Sequence, residues 1–234
     1  MITTLTIVRY PRYIGWAGFL SMAIFRLPLW FNNQIVFWKL MGCGKNGTFD
    51  KSPDWRQWAM LLVLKEGGVT SNAIPGFIEY WWKFWKCEKW TLMMEPIEGH
   101  GTWDGKKAFG TLPKQSEYDG PIGVLTRATI RLNKLNRFWQ HVDEVAKVMT
   151  SAKGFIVSVG IGEVPWIKQA TFSIWESKTM MKSFAYQMKE HASIVQKTRK
   201  ENWYSEEMFV RFKIIDSNGH LNGRLPFAIK HKTI

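Results

Sequence analysis

Alternating and helical spacings of apolar residues predict the same series of elements in each half of the chain. In the first half they predict strands and helices, in chain order, at 3–10 (strand), 14–27 (helix), 35–40 (strand), 58–64 (strand), 73–86 (helix) and 90–98 (strand). In the second half the same order falls at 122–131, 134–151, 155–159, 169–175, 177–200 and 209–216. This βαββαβ order is the ferredoxin-like arrangement.

A single spacing relates the two halves residue by residue. Gly42 and Gly44 recur as Gly160 and Gly162, where the second strand of each half is expected to bend. The same offset of 118 positions also joins Arg9 to Arg127, Trp85 to Trp203, Glu88 to Glu206, Gly101 to Gly219, Gly105 to Gly223 and Phe109 to Phe227. One register that holds along the chain indicates duplication.

The duplication predicts an α+β fold with ferredoxin-like halves at 1–118 and 119–234. The join between them, over 111–120, is short and polar, which favours one compact unit over two separate modules. We expect the paired sheets to form a single-chain dimeric α+β barrel, with helices on the outer face of each sheet.

Composition and charge limit the classes of protein. Hydrophobic residues make up 46% of the chain and charged residues 22%, which is typical of a globular protein. The longest apolar run, 14–25, is too short to cross a bilayer and predicts a core helix. With Cys43 and Cys87 as its two cysteines, the chain has no disulfide framework. We therefore expect a cytoplasmic protein in a reducing compartment.

The net charge of +13 favours contact with polyanions or with an anionic membrane surface. Peripheral contact with the inner face of a membrane is therefore among the expectations. The 14 Trp, 15 Phe and 11 Met residues suit a roomy pocket for a flat or greasy ligand, although they could equally fill an ordinary core.

One apolar stripe of the last helix contains a histidine. Met181, Phe184, Met188, His191 and Val195 follow one another at steps of three and four, so they share one helix face. A neutral imidazole among Met and Phe side chains can hold haem iron. His191 could also be a core histidine bonded to a backbone carbonyl, or lie at the edge of the stripe facing water.

The duplication makes His191 asymmetric, because the offset of 118 places Ala73 at the corresponding position of the first half. Other metal sites are disfavoured. The remaining histidines show no HxxxH or HExxH spacing. Cys43 as a thiolate ligand is weaker than His191, because only glycines flank it and its repeat mate is Ile161. The chain also has no GxGxxG or Walker loop and no GxSxG elbow.

Two strands of the second half contain polar residues that could line a site. Arg127 and Arg131 share one alternation with Thr129; one arginine could polarise bound oxygen and another could meet a haem propionate. Alternatively, Arg131 ends the strand in solvent and Arg127 serves the fold, as Arg9 would in the first half. Polar residues also share one face of the next strand, which indicates a lined cavity or plain exposure: Gln169, Thr171 and Ser173, followed by Trp175.

Several stretches carry a resemblance to a known family. They are 37–40 with Gly42 and Gly44, 120–121, 125–131, 138–139, 160–165 (GIGEVP), 169–175 (QATFSIW), 184–186, His191 with Ala192, Trp203 and 211–212. On these residues the chain resembles the spheroidene monooxygenase family of carotenoid-modifying enzymes. The run 160–175 is the most specific part of the match.

The resemblance implies a haem b monooxygenase that hydroxylates an acyclic carotenoid twice at one carbon to give a ketone. It implies a fold akin to the dimeric α+β barrel haem proteins, a hydrophobic small-molecule substrate and an external electron donor. His191 is then the axial iron ligand, and Met188, Phe184 and Arg131 are the further cofactor contacts. Arg127, Gln169 and Ser173 are the candidates for the oxygen-facing side.

Three other functions are compatible with parts of this sequence. A haem barrel of this kind could instead dehydrate aldoximes or use peroxide, because one fold supports several reactions. A tandem RNA-binding module has the same βαββαβ order. The strands that would bind bases, 58–63 and 169–175, lack the basic, glycine and paired-aromatic pattern of that module, so no nucleic-acid partner is expected. The sequence predicts no particular oligomeric state.

Overall fold

The computed structural model describes residues 1–45, 52–67, 73–187 and 201–229, with the backbone alone for 141–147 and 186–187. Eight strands are present in this part of the chain: β1 (Thr3–Arg9), β2 (Ile35–Gly44), β3 (Pro53–Leu64), β4 (Glu88–Gly101), β5 (Ile122–Ile130), β6 (Phe155–Val164), β7 (Lys168–Trp175) and β8 (Tyr204–Gly219). The helices are α1 (Gly15–Ile24), α2 (Arg26–Trp30), α3 (Gly76–Phe84), α4 (Leu135–Thr150) and α5 (Lys178–Gln187). None of these described helices is long and apolar enough to cross a bilayer.

The described chain divides into two compact units. Unit 1 contains 1–42, 54–67, 73–95 and 214–229, and unit 2 contains 43–45, 52–53, 96–187 and 201–213. Each unit thus takes its last strand segment from the other half of the sequence. The proposed division of the duplicated chain at residue 118 stays a prediction.

In unit 1 the strands lie in the order β2, β3, β1, β4 and the end of β8. Strand β1 pairs antiparallel with β3, from Thr3 opposite Val63 to Arg9 opposite Gln57, and antiparallel with β4 on its other side. Helices α1, α2 and α3 pack on one face of this sheet. Their inward residues join strand residues in one continuous apolar cluster: Val8, Tyr10, Ala17, Phe25, Leu29, Leu40, Met60, Leu62, Ile78 and Trp82.

In unit 2 the strands lie in the order β6, β7, β5, β8 and β4. Strand β5 pairs antiparallel with β7, from Ile122 opposite Trp175 to Thr129 opposite Lys168, without a register shift. Helices α4 and α5 contribute to two apolar clusters on one face of the sheet. One contains Ile130, Phe138, Trp139 and Trp203, and the other contains Ile122, Val124, Trp175 and Met181.

The hairpin turns confirm the duplication in three dimensions. Trp103 bridges Lys106 in one turn, and Leu221 bridges Arg224 in the other, which is the same pair 118 positions later. Gly101 and Gly219 both have a positive φ, and a Cβ on either would lie about 2 Å from a carbonyl oxygen of the neighbouring strand. Glu206 accepts a hydrogen bond from the backbone N of Asp104, as Glu88 does from that of Asn222.

The element order agrees with the prediction throughout the described residues, but the apolar run near the N-terminus differs in two ways. It forms two helices, α1 and α2, rather than one. Pro28 explains the break, because it has no amide hydrogen to donate to the carbonyl of Ile24. The run is also only half buried, since α1 exposes Trp16 and Phe19 on its outer face. The expectation of a core helix was therefore wrong for that face.

Candidate functional site

The central strands of unit 2 have two distinct faces. Residues opposite one another in an antiparallel ladder point to the same side, and successive residues alternate. Thr126 opposes Thr171 and Val124 opposes Ser173, so these four share the face that α4 and α5 cover. Arg127 opposes Ala170 and therefore points to the other side.

The helix-covered face of β5, β7 and β6 has almost no large side chains at its middle. Strand β6 continues the pattern, because Gly160 opposes Thr171 and Gly162 opposes Gln169. We call this patch the sheet floor; it consists of Thr126, Ala128, Ser158, Gly160, Gly162, Gln169, Thr171 and Ser173. Thr126 is exposed although Val124 and Ala128, its neighbours on the same face, are buried. The floor thus combines small side chains with one exposed position, Thr126, and Phe209 of β8, which opposes Thr126, packs against the neighbouring apolar cluster.

The corresponding positions of unit 1 are filled. Val8 stands 118 positions before Thr126, and Val8 opposes Trp58 just as Thr126 opposes Thr171. Tyr10, the mate of Ala128, belongs to the continuous core cluster, and Trp58 packs against that cluster. A Cβ on Gly18 of α1 would lie 2.1 Å from Nε1 of Trp58, so α1 packs directly on the Trp58 ring. At these positions the described part of the chain thus has large side chains in unit 1 and small ones in unit 2.

Two hydroxyl groups of the floor have hydrogen-bonding capacity to spare. Thr171 is 7% exposed, and its Oγ1 has no hydrogen-bond partner among the residues that the structure describes. Ser173 accepts a hydrogen bond from Nε1 of Trp175 at 3.0 Å, which leaves the hydroxyl proton of Ser173 free to donate. Buried hydroxyls of this kind are costly unless a ligand or water satisfies them.

Gln169 lies on the floor but is already engaged in the turn between β6 and β7. Its Nε2 donates to the carbonyl oxygen of Val164 at 3.1 Å. A Cβ on Gly162 would lie 2.9 Å from the same Nε2, so a larger residue there would require the Gln169 side chain to move. The sequence analysis placed Gln169, Thr171 and Ser173 on one face of the strand, and the structure confirms this.

Helix α5 packs beside the floor through the stripe that the sequence predicted. Met181 is buried, and the ring of Phe184 lies 5.1 Å from that of Trp175. A pocket of about 410 Å³ between the end of α4 and α5 includes Phe184 in its lining. Met188 and His191, which continue the stripe in the sequence, lie outside the described residues.

Arg127 has an environment that fits the structural alternative from the sequence, in which it serves the fold, better than an oxygen-facing role. The side chain is 1% exposed and forms a salt bridge with Glu206. Its Nη2 lies 3.6 Å from Oδ1 of Asp104 and 3.8 Å from Oε1 of Glu163, and its guanidinium lies over the ring of Trp103. Arg127 therefore anchors the hairpin turn between β4 and β5, on the face of the sheet opposite Ser173.

The electrostatics of Glu206 fit this anchoring. Burial by itself raises the pKa of Glu206, but hydrogen bonds from the backbone N of Gly105 and from Thr102 and Arg127 outweigh burial. The pKa consequently lies below its ordinary value, and the carboxylate stays charged at neutral pH.

A second buried ion cluster lies on the helix-covered face and was missed from the sequence. Arg211 of β8 opposes Val124, so it points to the same side as Ser173. It forms a salt bridge with Glu98, which is 1% exposed and also lies 3.4 Å from Nζ of Lys178. The Nε of Arg211 is buried and has no hydrogen-bond partner in the described part of the chain. Burial also lowers the pKa of Arg211.

The repeat could have identified Arg211. At the offset of 118 its mate is Met93, so a cation replaces an apolar residue in the second half. Arg131, the predicted propionate contact, lies just beyond the end of β5 with an exposed side chain, and its backbone N donates to the carbonyl of Trp203. Within the described ranges, no three His, Cys, Asp or Glu side chains are grouped closely enough to hold a metal ion.

Comparison with known proteins identifies the family. The chain is 32% identical to spheroidene monooxygenase of Rhodobacter capsulatus over 220 residues, which cover 90% of this chain and 88% of the relative. It is 30% identical to spheroidene monooxygenase of Cereibacter sphaeroides over 226 residues, which cover 95% of this chain and 69% of that one. The chain belongs to the spheroidene monooxygenase family. It is therefore a monooxygenase, as the sequence resemblance predicted. No family model matches the chain.

Solved structures support the fold of this spheroidene monooxygenase relative. A crystal structure of an aldoxime dehydratase in complex with butyraldoxime matches with a TM-score of 0.62 at 8% identity, covering 92% of this chain and 79% of that one. A second aldoxime dehydratase structure matches with a TM-score of 0.59, also at 8% identity, over 92% of this chain and 81% of its own. At such low identity the match concerns the fold alone. It confirms the predicted α+β class of the dimeric α+β barrel proteins.

Proposed function

We propose that the chain is a haem-dependent monooxygenase that hydroxylates an acyclic carotenoid twice at one carbon. The resulting geminal diol loses water to give a ketone. Membership of the spheroidene monooxygenase family supports the oxygenation and the class of substrate. The observation that supports the cofactor is the contrast between the small side chains of the sheet floor in unit 2 and the large, packed side chains at the corresponding positions of unit 1.

The residues around the floor fit a flat, largely apolar cofactor. Small side chains leave room for a planar ring above the sheet, and Phe184 and Trp175 supply an aromatic wall beside it. Oγ1 of Thr171, which has no hydrogen-bond partner in the described part of the chain, is a polar group that a ligand above the floor would satisfy. Arg211 is already paired with Glu98, but its buried Nε has no hydrogen-bond partner among the described residues and could donate to a carboxylate such as a haem propionate, in addition to the predicted contact, Arg131.

We propose His191 as the axial ligand, with Met188 and Phe184 packing on the porphyrin. When bound, haem supplies the redox-active iron at which dioxygen is reduced with electrons from an external donor. Ser173 keeps a hydroxyl proton that it can donate to a polar group above the floor, and the bond from Trp175 holds its oxygen in place. The apolar clusters on either side exclude water from the substrate.

The opposite-face position of Arg127 limits its role in this proposal. We propose that Arg127 acts on the site through the hairpin that it anchors, and that Thr171 and Ser173 provide the polar contacts above the floor. Gln169 contributes by holding the β6–β7 turn beside them.

The cofactor assignment is tested by the visible spectrum of the purified protein mixed with hemin. We expect a Soret band in the wild type, a lost or shifted band in His191→Ala, and an unchanged band in the matched control His220→Ala. A wild type without a Soret band, or an unchanged band in His191→Ala, would refute His191 as the axial ligand.

The reaction is tested separately by incubating the haem-loaded protein with spheroidene, a reductant and isotopically labelled dioxygen. We expect a ketone that carries labelled oxygen, detected by mass spectrometry. A protein that binds haem but incorporates no labelled oxygen would refute the oxygenation and leave the haem assignment intact.

A further inference from the structure

The outer faces of α1 and α2 are apolar, although they point away from the core of unit 1. Exposed residues recur at helical spacing along one stripe: Trp16, Phe19, Leu20, Leu27, Trp30 and Phe31. Trp30 and Phe31 are 78% and 77% exposed. The inward residues of the same helices, such as Ala17 and Leu29, are buried in the unit's core. A helix that is apolar all round is atypical of a protein surface in contact with water alone.

Helix α3 extends the same surface. Phe77, Tyr80 and Phe84 are exposed at steps of three and four, and Tyr80 stacks on Phe84. Trp85 connects the helices, because its ring contacts both Trp16 and Phe84. We call the exposed aromatic and aliphatic side chains of α1, α2 and α3 the aromatic face. It is far more than a scatter of single exposed residues.

Positive charge surrounds the aromatic face. Residues 1–49 contain five Lys and Arg residues and no Asp or Glu. Arg12 and Arg26 are exposed beside α1 and α2, and Lys83 and Lys86 are exposed on and just after α3. Glu79, the acidic residue of α3, is neutralised by a salt bridge with Lys89. The surface therefore combines Trp, Tyr and Phe with a cationic surround.

We propose that the aromatic face binds the surface of an anionic lipid bilayer. Tryptophan and tyrosine rings favour the headgroup region, where one part of the ring is apolar and another meets water. Exposed Lys and Arg residues next to such rings attract anionic headgroups. A second copy of the chain would bring Arg12, Arg26 and Lys83 against the same cations of its mate, so charge complementarity disfavours self-association.

The full-length protein is tested by co-sedimentation with vesicles of phosphatidylcholine mixed with phosphatidylglycerol, and with vesicles of phosphatidylcholine alone. We expect binding to the anionic vesicles that weakens as salt is added, and weaker binding to the neutral ones. The variant Leu27→Gln/Trp30→Gln/Phe31→Gln removes exposed apolar area, and its partition coefficient should fall by about tenfold or more. Arg12→Gln/Arg26→Gln should lower binding to the anionic vesicles by about fivefold for each charge.

The matched control is Leu132→Gln, since Leu132 is 71% exposed but lies in unit 2. It should bind vesicles as the wild type does. Equal binding of the triple variant and the wild type overturns the proposal. Failure of the wild type to bind either kind of vesicle also overturns the proposal. This holds whether or not sedimentation shows that the aromatic face joins two copies of the chain.

A measurement on the wild type covers the case in which the triple variant fails to fold. Brominated phosphatidylcholine in the anionic vesicles should quench part of the tryptophan emission, since exposed Trp16 and Trp30 would lie among the lipids. Absence of quenching overturns the proposal.

Discussion

A large side chain introduced on the sheet floor should weaken cofactor binding without destabilising the fold. Thr126→Phe adds a ring to an exposed side chain, so the free energy of unfolding should change by less than about 0.5 kcal/mol. Val8→Phe makes the same change at the matching position of unit 1, where Val8 is 2% exposed within a filled cluster. Overpacking there should cost about 1 to 3 kcal/mol. For a chain of this length that lowers Tm by about 2 to 12 °C.

The order of the two variants in haem affinity should be the reverse of their order in stability: Thr126→Phe should bind hemin more weakly than Val8→Phe. A phenyl ring at Thr126 occupies the layer about 3.5 to 4 Å above the floor that a flat ligand in van der Waals contact must use. If the ring destabilises the protein–hemin complex by about the same 1 to 3 kcal/mol that overpacking costs a core, the Kd for hemin rises about 5- to 150-fold. Val8→Phe should bind hemin as the wild type does. Thermal unfolding and hemin titration check the pair. The reasoning is refuted if Thr126→Phe binds hemin normally, or if it loses as much stability as Val8→Phe.

Three further predictions concern the fold. Gly101→Ala should cost several kcal/mol, because its Cβ would lie 2.1 Å from the carbonyl oxygen of Glu207; Gly105→Ala, which meets nothing within 4 Å, should cost only its backbone strain of about 1 kcal/mol. Urea unfolding of both variants measures the difference, and equal losses would contradict it. Glu206→Gln should cost about 1 to 3 kcal/mol at neutral pH. The pKa of Glu206 is lowered in the folded state, so the wild type should be more stable than Glu206→Gln at pH values above the ordinary Glu pKa of about 4.3. This difference in the free energy of unfolding should disappear as the pH falls through the folded pKa. A difference that persists in acid would contradict the prediction. Burial raises the pKa of Cys87 to about 12, so iodoacetamide should alkylate it slowly at neutral pH, and rapid labelling by mass spectrometry would disprove this.

The fold was readable from the sequence because each half repeats the same local signals. Apolar periodicity predicted the order of elements, and the recurring glycines, together with Arg, Trp, Glu and Phe at the same offset, indicated the duplication. Gly101 and Gly219 are needed for the same backbone conformation and the same close approach, so their spacing survives where most side chains differ. Helix boundaries were less readable, since the break before Pro28 depends on one missing hydrogen bond.

The candidate site was only partly predictable. Alternation correctly placed Gln169, Thr171 and Ser173 on one face. It could not show which face of β5 the helices cover, because nearly every residue of that strand is buried. The position of Arg127 opposite the floor therefore needed the ladder register. The small side chains of the floor became informative only by contrast with unit 1, where Val8, Tyr10 and Trp58 occupy or pack against the core.

The exchange of strand segments between the halves has a consequence for synthesis. Unit 1 contains residues 1–42, which leave the ribosome before unit 2, and also 214–229, which leave it after unit 2. Unit 2 has all of its described residues by position 213. At roughly 5 to 20 residues per second, the N-terminal segment must wait about 10 to 40 seconds for its last strand. Synthesis of unit 1 thus begins before that of unit 2 and is completed after it, and the apolar helices of unit 1 spend that interval without their final strand, when a chaperone or a lipid surface could shield them.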